Sequence, residues 1–387
     1  MVNNARTDNG KTIKVVQMLP ELESGGVERG TLEMGKYLAE HGHHSLVISA
    51  GGRLVDQLER EGSKHLKWAV GVKNPRCLKY LKPLRNLLLK EQVDVLHLRS
   101  RMPAWVGYVA WLSIPPSLRP ILVTTFHGFH SVNAYSSIMT KGDCIVAVSE
   151  SIREHILQNY NIKNRVQTIF RGVDVETFHP DHVDEARVTR LQKRWRIRTG
   201  IPVIMLPGRI SRNKGQDVFL RSLQELKPGS FQAVLVGEYS DDNGFASELK
   251  GLIKKQGLTD SVTLVGHCSD MPAGYLLADI VVSASSKKPE AFGRTNIEAM
   301  AMAKPVIATA HGGSIETMVH GETGWLVEPA NPEEMGRRIS AALKDNRSLK
   351  QLGRNGMQRV QQHFTTESMC QNTVELYSEL LSEKKRR

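Results

Sequence analysis

The sequence predicts an α/β protein with two parallel sheets, each covered by helices. Short apolar runs alternate with longer helical patterns along nearly the whole chain of 387 residues. Several runs are apolar on both faces, as parallel strands between two helical layers are. A polar, charged stretch at 174–200 separates two blocks of such runs. Because each block repeats strand, helix and strand, we expect two doubly wound domains with a hinge near 175–180.

Each block contributes six expected strands. The first block has apolar runs of strand length at 13–19, 44–49, 93–98, 121–126, 144–149 and 166–170. The second has them at 202–207, 232–237, 262–266, 279–284, 305–309 and 325–329. Residues 332–381 carry helical patterns only, so the chain is expected to end in helices. Ligands of open α/β sheets bind at the carboxyl ends of strands, so the loops there are where chemistry is expected.

Composition limits the function classes. Lys and Arg total 52 against 40 Asp and Glu, a net charge of +12 that suits nucleic acid, an anionic membrane or phosphorylated substrates. Aromatic residues are only 6% of the chain and do not interleave with basic ones, which argues against nucleic acid. The four cysteines are dispersed, with no C-x-x-C spacing, and no apolar run approaches a membrane span. We therefore expect a cytoplasmic protein without a signal peptide.

The first candidate loop, 20–30, follows the first expected strand. Gly25 and Gly26 open a helix there, so backbone N–H groups can approach an anion closely. The pattern is G-G-x-x-x-G, which differs from the dinucleotide fingerprint, and 48–53 lacks the acidic residue that would hold an adenosine ribose. Ligand binding and a simple turn both remain open for this loop.

The second candidate loop, 206–217, carries Arg209 and Lys214 between a strand and a helix. Two cations near a helix N-terminus are unfavourable unless an anion lies between them. A diphosphate would supply that anion. Two solvated surface cations are the alternative.

The third candidate loop and its helix, 287–309, carry Glu290 and Glu298. The spacing places Glu290 in the loop and Glu298 about one turn into the helix. A carboxylate can accept hydrogen bonds from two vicinal hydroxyls, as a ribose or hexose presents. Backbone N–H groups at Phe292, Gly293 and Arg294 lie at the helix start, where they can bind phosphate or sugar oxygens. Solvated glutamates on a helix face are the alternative, which the apolar neighbours disfavour.

Taken in order, the motifs GGVERG, TTFHG, AVSE, RGVD, PGRISRNKG and EAFGRTNIEAMA resemble those of the retaining glycosyltransferases of the GT-B fold. The resemblance is to the large E-x₇-E group that contains glycogen-synthase-like and lipopolysaccharide-core enzymes, and it runs from about residue 13 to residue 380. It implies two Rossmann-like domains facing across a cleft, 1–178 on the acceptor side and 179–364 on the nucleotide-sugar side. It further implies that a final helix with a basic tail, 365–387, returns to the first domain.

The resemblance also implies roles for particular residues. Arg209 and Lys214 would bind the nucleoside diphosphate, Glu298 the ribose hydroxyls and Glu290 the donor sugar. Gly26, beside Gly25, would touch the phosphates, and His127 would lie beside the sugar at the reaction centre. Glu290 would be assisted by backbone groups of the segment that follows it (Phe292, Gly293, Arg294 and Thr295).

The expected reaction is transfer of a hexose from a nucleotide sugar to a saccharide or lipid-linked acceptor, in lipopolysaccharide or surface-polysaccharide synthesis. The family's use of UDP-sugars favours UDP, with GDP open. No Asp-x-Asp pair lies in a suitable loop, so we expect neither a metal nor another cofactor. The segment around His127, VTTFHGFHSV, has no carboxylate nucleophile, which favours a same-face route over double displacement.

A basic segment in the first block suggests where the enzyme works. Residues 60–101 include eleven basic and three acidic residues, so this stretch has a net charge of 11 − 3 = +8. Within 74–91, leucines at helical spacing lie beside cations, the pattern of an amphipathic helix that Pro83 should kink. Leucines packed on the sheet are the alternative. We expect the acceptor or an anionic membrane surface on this side (Lys79, Lys82, Arg85, Arg99 and Arg101).

Other function classes remain as rivals. A nucleotide-sugar epimerase on the same fold would share the diphosphate site but would need acid and base groups at the sugar. A non-catalytic sugar-binding relative is disfavoured because every expected contact position is filled. A basic nucleic-acid-binding protein is the least supported.

Overall fold

The computed structural model describes residues 12–239 and 244–386, and its chain forms two compact units. The first unit comprises the described residues up to Phe170 together with those from Met369 onward. The second extends from Arg171 to Ser368. The chain thus passes from one unit to the other after residues 170 and 368, whereas the domain boundaries were expected after residues 178 and 364.

The first unit contains a seven-stranded sheet in which every pairing is parallel. Its strands in chain order are β1 Lys14–Met18, β2 His44–Ser49, β3 Lys64–Lys67, β4 Val95–Leu98, β5 Ile121–Phe126, β6 Cys144–Ala147 and β7 Arg165–Thr168. Their order in the sheet is β3-β2-β1-β4-β5-β6-β7, with Val15 opposite both Ser45 and Val95. This is the doubly wound order, so all carboxyl ends lie along one edge.

Six of these strands coincide with the predicted runs, but β3 was missed. Its sequence, KHLK, has exposed lysines at both ends and only half-buried residues between them. Charged side chains suit a short edge strand, which needs little apolar surface. Apolar periodicity therefore could not identify it.

The helices of the first unit follow its strands. They are α1 Gly26–Glu40, α2 Val55–Arg60, α3 Leu81–Lys90, α4 Arg101–Leu112 and α5 Glu150–Asn159, with a 3₁₀ helix at Pro75–Tyr80. The expected kink at Pro83 is wrong. Because α3 begins at Leu81, Pro83 lies in the first turn, where the missing N–H has no helical acceptor to lose. Leu84 and Leu88 are buried, as the alternative interpretation of the leucines required.

The second unit repeats the architecture with six parallel strands, all of them predicted. They are β8 Val203–Pro207, β9 Gln232–Val236, β10 Val262–Gly266, β11 Ile280–Ser283, β12 Val306–Thr309 and β13 Gly324–Val327, in the sheet order β10-β9-β8-β11-β12-β13. Its helices are α6 Glu185–Trp195, α7 Gln216–Ser222, α8 Gly244–Lys255, α9 Met271–Leu277, α10 Arg294–Ala301, α11 Ser314–Thr317, α12 Pro332–Ala342 and α13 Asn346–His363. Phe219 and Phe231 are fully buried in its core.

The last helix, α14 Thr366–Arg386, packs on the first sheet from Met369 onward. Cys370 and Val374 share a buried cluster with Val15 of β1. Tyr377 is fully buried, and its hydroxyl lies 2.6 Å from Nδ1 of His97 on β4. The return of the final helix to the first domain is therefore confirmed, and it completes the core of that unit.

Candidate active site

The loop after β8 carries two of the predicted donor-binding cations. The Arg209 side chain is exposed, whereas Lys214 ends a 3₁₀ turn, Arg212–Lys214, just before α7. Gly215 then adopts a φ of 67°, and a Cβ there would lie 1.8 Å from the Ala284 carbonyl oxygen. Only glycine tolerates this approach. The loop is thereby held against the carboxyl end of β11, where Lys214 meets its partner.

Glu290 is that partner. Lys214 Nζ donates to Glu290 Oε1, and the Ser285 hydroxyl donates to the same oxygen. Burial opposes ionisation of Glu290, but the Lys214 charge and these hydrogen bonds outweigh it and hold the pKa of Glu290 below its ordinary value. Glu290 is therefore an anion at neutral pH and can accept hydrogen bonds from sugar hydroxyls.

Glu298 lies one turn into α10 and is 8% exposed. Arg294 Nε donates to Glu298 Oε1 over 3.1 Å, and the Tyr275 hydroxyl donates to Oε2 over 3.1 Å. The predicted placement of Glu290 in the loop and Glu298 in the helix is the one observed. Each carboxylate of the E-x₇-E element thus has its own cation.

The start of α10 is held by the loop that follows β12. Gly293 caps the helix with a φ of 89°. The Gly313 N–H donates to the Glu290 carbonyl oxygen over 2.8 Å, and a Cβ on Gly313 would lie 2.3 Å from Phe292 Cα. The N–H groups of a first helical turn, here including Thr295, have no acceptor within the helix and can bind an anion. The start of α10 can therefore present backbone donors, among them those of Gly293 and Thr295, to phosphate or sugar oxygens.

Four residues of this site were missed from the sequence: Gly215, Tyr275, Ser285 and His311. Ser285 and His311 each lie two residues beyond the end of a strand, β11 and β12, a position that could have identified them. Burial lowers the pKa of His311, whereas Glu290 and the Lys288 backbone act in the opposite direction, so the ring is neutral near pH 7 beside Glu290. Tyr275, inside α9, offered no signal.

The first unit contains the remaining predicted donor-side residues. Gly25 caps α1 with a φ of 138°, and Gly26 is the first helical residue, so the glycine pair does open a helix. His127 is half-buried and is the first residue after β5. Both positions lie at the carboxyl edge of the first sheet.

The predicted basic side of the first unit is only partly exposed. Lys79 and Lys82 are exposed, and Arg85 Nε donates to the Ser113 carbonyl oxygen over 3.2 Å. Arg101 donates to the Ser136 hydroxyl over 3.2 Å. Arg99 requires a correction.

Arg99 is 6% exposed and donates to the Gln17 side chain, so it cannot face a membrane or a docked acceptor at the surface. Burial lowers the pKa of its guanidinium, although nearby Tyr377, Cys370 and Glu33 oppose that effect. Arg99 directly follows β4, which is buried along its whole length, and Tyr377 and Cys370 of α14 lie near its guanidinium, so this end of the strand is not open to solvent.

The described residues, 12–239 and 244–386, contain no group of three or more His, Cys, Asp or Glu side chains arranged to hold a metal ion. None of their helices combines the length and hydropathy needed to span a bilayer.

The chain matches two families in succession, Glycosyltransferase Family 4 over residues 24–177 and Glycosyl transferases group 1 over residues 188–359. It also superimposes on the crystal structure of a glycosyltransferase from Rickettsia africae ESF-5 with a TM-score of 0.88 and 35% identity, covering 96% of this chain and 99% of that one. The chain belongs to the group 1 glycosyltransferases.

Further relatives of this glycosyltransferase have names that concern cell-surface saccharides. The Staphylococcus aureus capsular polysaccharide biosynthesis glycosyltransferase CapM is 24% identical over an alignment that covers 96% of this chain and 99% of CapM. The Rhizobium leguminosarum lipopolysaccharide core biosynthesis mannosyltransferase LpcC is 30% identical over 56% of this chain and 60% of LpcC. Anabaena Alr3699/HepE, solved with UDP and glucose, shares the GT-B fold at a TM-score of 0.82 and 22% identity, covering 95% and 99% of the two chains.

Proposed function

We propose that this glycosyltransferase moves a hexose, with retention of configuration, from a nucleoside-diphosphate sugar to a saccharide or lipid-linked acceptor in lipopolysaccharide or surface-polysaccharide synthesis. The observation that carries the proposal is the pairing of Glu290 with Lys214. It places an anion suited to sugar hydroxyls against a cation suited to the diphosphate of the same donor. The names of CapM and LpcC support the surface-saccharide context.

The donor is proposed to lie along the second unit. Arg209 and Lys214 bind its diphosphate, Glu298 accepts from the ribose hydroxyls, and Glu290 accepts from the hexose. Glu298 is suited to this role because hydrogen bonds from Arg294 and Tyr275 fix the orientation of its carboxylate. UDP is the proposed nucleotide, supported by the UDP complexes of the Anabaena neighbour, while GDP is the alternative to be tested.

The chemistry proposed is a same-face substitution. The acceptor oxygen forms a bond to the anomeric carbon as the bond from that carbon to the diphosphate breaks, and the acceptor proton passes to the departing phosphate oxygen. Arg209 and Lys214 stabilise the charge that develops on the diphosphate, which is the role a metal would otherwise fill. The reaction is therefore proposed to be metal-independent.

A donor panel tests the proposal. UDP, GDP, their 2′,3′-dideoxy forms and their hexose conjugates are compared by thermal shift, with and without EDTA. One nucleoside diphosphate should raise the melting temperature, its dideoxy form should do so less, and EDTA should change neither result. NMR of the product formed with that donor and a saccharide acceptor should show the donor's anomeric configuration.

Three results would contradict the proposal. A metal requirement would refute the leaving-group assignment, and an inverted product would refute retention. A donor isomerised in the absence of any acceptor would instead identify an epimerase.

We propose that cations on and before α3, the exposed Lys79 and Lys82 and the half-buried Arg85, hold the enzyme at the cytoplasmic leaflet. Each cation near an anionic surface contributes about 1 kcal/mol, which salt screens. Anionic vesicles should therefore co-sediment the protein, and neutral vesicles should not. The charge reversal Lys79→Glu/Lys82→Glu/Arg85→Glu should abolish this binding.

The matched control is Lys227→Glu/Lys254→Glu/Lys255→Glu, which removes the same charge from exposed lysines of the second unit. It should leave vesicle binding intact. Equal loss in both triple variants would make net charge alone responsible, and recovery in the supernatant under every condition would refute the membrane proposal.

A further inference from the structure

An open pocket of about 520 Å³ lies on the first unit, and none of its lining residues is assigned to the donor. Its walls are mostly apolar and include Pro75, Leu78, Met102 and Tyr135. These residues belong to the segments that leave β3, β4 and β5, so the pocket opens at the carboxyl edge of the first sheet. This is the edge at which α/β sheets bind ligands.

Two cations stand over one wall of the pocket. Lys73 Nζ lies 5.7 Å and the Arg101 guanidinium 5.2 Å from the centre of the Tyr135 ring. Neither forms an ion pair with any residue of the described chain. Unpaired cations on an apolar wall provide the charge that an anionic headgroup requires.

The pocket continues into an exposed apolar stripe on α4. Trp105, Val109 and Leu112 are 37%, 40% and 45% exposed and recur at helical spacing on one face. Trp105 Nε1 donates to the Tyr135 carbonyl oxygen over 3.1 Å, so the α4 stripe begins at the pocket rim. Leu78, on the pocket wall, is 56% exposed. A continuous apolar path thus leads away from the two cations.

The cationic end of the pocket adjoins the loop that carries His127. Burial, followed by the nearby charges of Arg101 and His155, lowers the pKa of His130 to about 4. Arg101 is therefore close to His130, three residues beyond His127. A ligand whose anionic group lies at Arg101 would extend from there toward the proposed reaction-centre residue in one direction and along the α4 stripe in the other.

From this arrangement we infer that the pocket binds a phosphorylated lipid as the acceptor, with its phosphate at Lys73 and Arg101 and its hydrocarbon chain over Leu78, Met102 and the α4 stripe. The charges of Lys73 and Arg101 favour a ligand with a phosphate, and the apolar path favours a ligand whose hydrocarbon chain is attached next to that phosphate. A free sugar phosphate would use only the cations, and a neutral lipid only the path. The inference rests on the proposed function and specifies its acceptor class.

Calorimetry with the full chain tests the inference, using decyl phosphate below its micelle concentration, decanol and inorganic phosphate as probes. Decyl phosphate should bind at least tenfold more tightly than either of the others, because only it contacts both features. Lys73→Ala/Arg101→Ala and Leu78→Asn/Val109→Asn should each weaken its binding at least tenfold. The matched control Lys141→Ala/Leu157→Asn, an exposed cation and an exposed leucine elsewhere on the first unit, should bind as wild type does.

Equal affinity for all three probes, or unchanged affinity in the pocket variants, would overturn the inference. Phosphatidylglycerol vesicles that displace decyl phosphate equally well per accessible lipid would also overturn it, because they would identify a general membrane-binding surface. Nucleoside diphosphate affinity is measured in the same variants and should not change. Decyl phosphate binding by a protein that binds no nucleoside diphosphate would refute the donor proposal and the acceptor role together, and would leave only the binding of a phosphorylated lipid standing.

Discussion

Lys214→Ala is expected to weaken nucleoside diphosphate binding by about 1.5–3 kcal/mol, roughly ten- to one-hundredfold, because it removes charge-assisted contacts. It should also destabilise the protein by about 1–3 kcal/mol at pH 7, since Glu290 would remain buried without its cation. Arg209→Ala should lose similar affinity without the stability cost, because Arg209 is exposed and forms no ion pair among the described residues. Titration calorimetry and thermal unfolding measure the two effects.

The pH dependence distinguishes the ion pair from a packing defect. In the wild type the pKa of Glu290 is lowered, so the stability due to its ionisation is complete above the ordinary carboxyl pKa and declines as pH falls below it. In Lys214→Ala, burial should dominate and raise the pKa of Glu290, so acid should favour the variant. The difference in melting temperature between the two proteins should therefore shrink from pH 7.5 to about pH 4.5.

Arg212→Ala is the matched control. Arg212 lies two residues before Lys214 and forms an exposed ion pair with Glu248, which this substitution removes. It should change stability by less than about 1 kcal/mol. Wild-type nucleotide affinity in both Arg209→Ala and Lys214→Ala would refute the assignment of this loop. A stability difference independent of pH would refute the ion-pair explanation.

His127→Ala is expected to lower kcat by about 10²-fold while changing nucleoside diphosphate affinity less than threefold. The proposed contact of His127 is with the hexose in the transition state and not with the nucleotide, so kcat and kcat/KM should fall together. Steady-state kinetics with the donor identified by the panel, alongside nucleotide titration, measure both quantities.

Two variants complete this experiment. His127→Asn should recover part of the lost rate if a polar contact is what the imidazole provides. His44→Ala, an exposed histidine at the start of β2, should have wild-type kinetics. A near-normal kcat in His127→Ala would mean that the histidine merely ends a strand.

Local patterns predicted most of the fold because they reflect short-range physics. A strand buried on both faces must be apolar along its length, so twelve of the thirteen described strands could be read directly. The strand β3 was not predicted because a short edge strand does not need a continuous apolar run. Pro83 was misjudged because its effect depends on where α3 begins, and the leucine pattern alone does not place that residue.

The candidate site divides in the same way. The residue types and loops of the candidate site were predicted from the sequence, since anion-binding cations and glycines are expected where strands end. The contacts between these side chains were not predicted, because the partners lie far apart in the sequence. Lys214 and Glu290 are 76 residues apart, and Tyr275 and Glu298 are 23 residues apart. Similarly, Arg99 was predicted to be a surface cation, but in the folded protein it is buried and donates to the side chain of Gln17.

The sequence by itself determined two doubly wound halves, twelve of the thirteen described strands and the family, and it predicted three candidate ligand-binding loops. Those features depend on periodicity and on motifs a few residues long. Only the tertiary structure decided which charges are buried and paired, that α14 completes the first core through Tyr377 and His97, and that the α4 stripe meets Lys73 and Arg101 at one pocket. Burial and Coulomb energies depend on distances between remote segments, and those distances exist only once the sheets have formed.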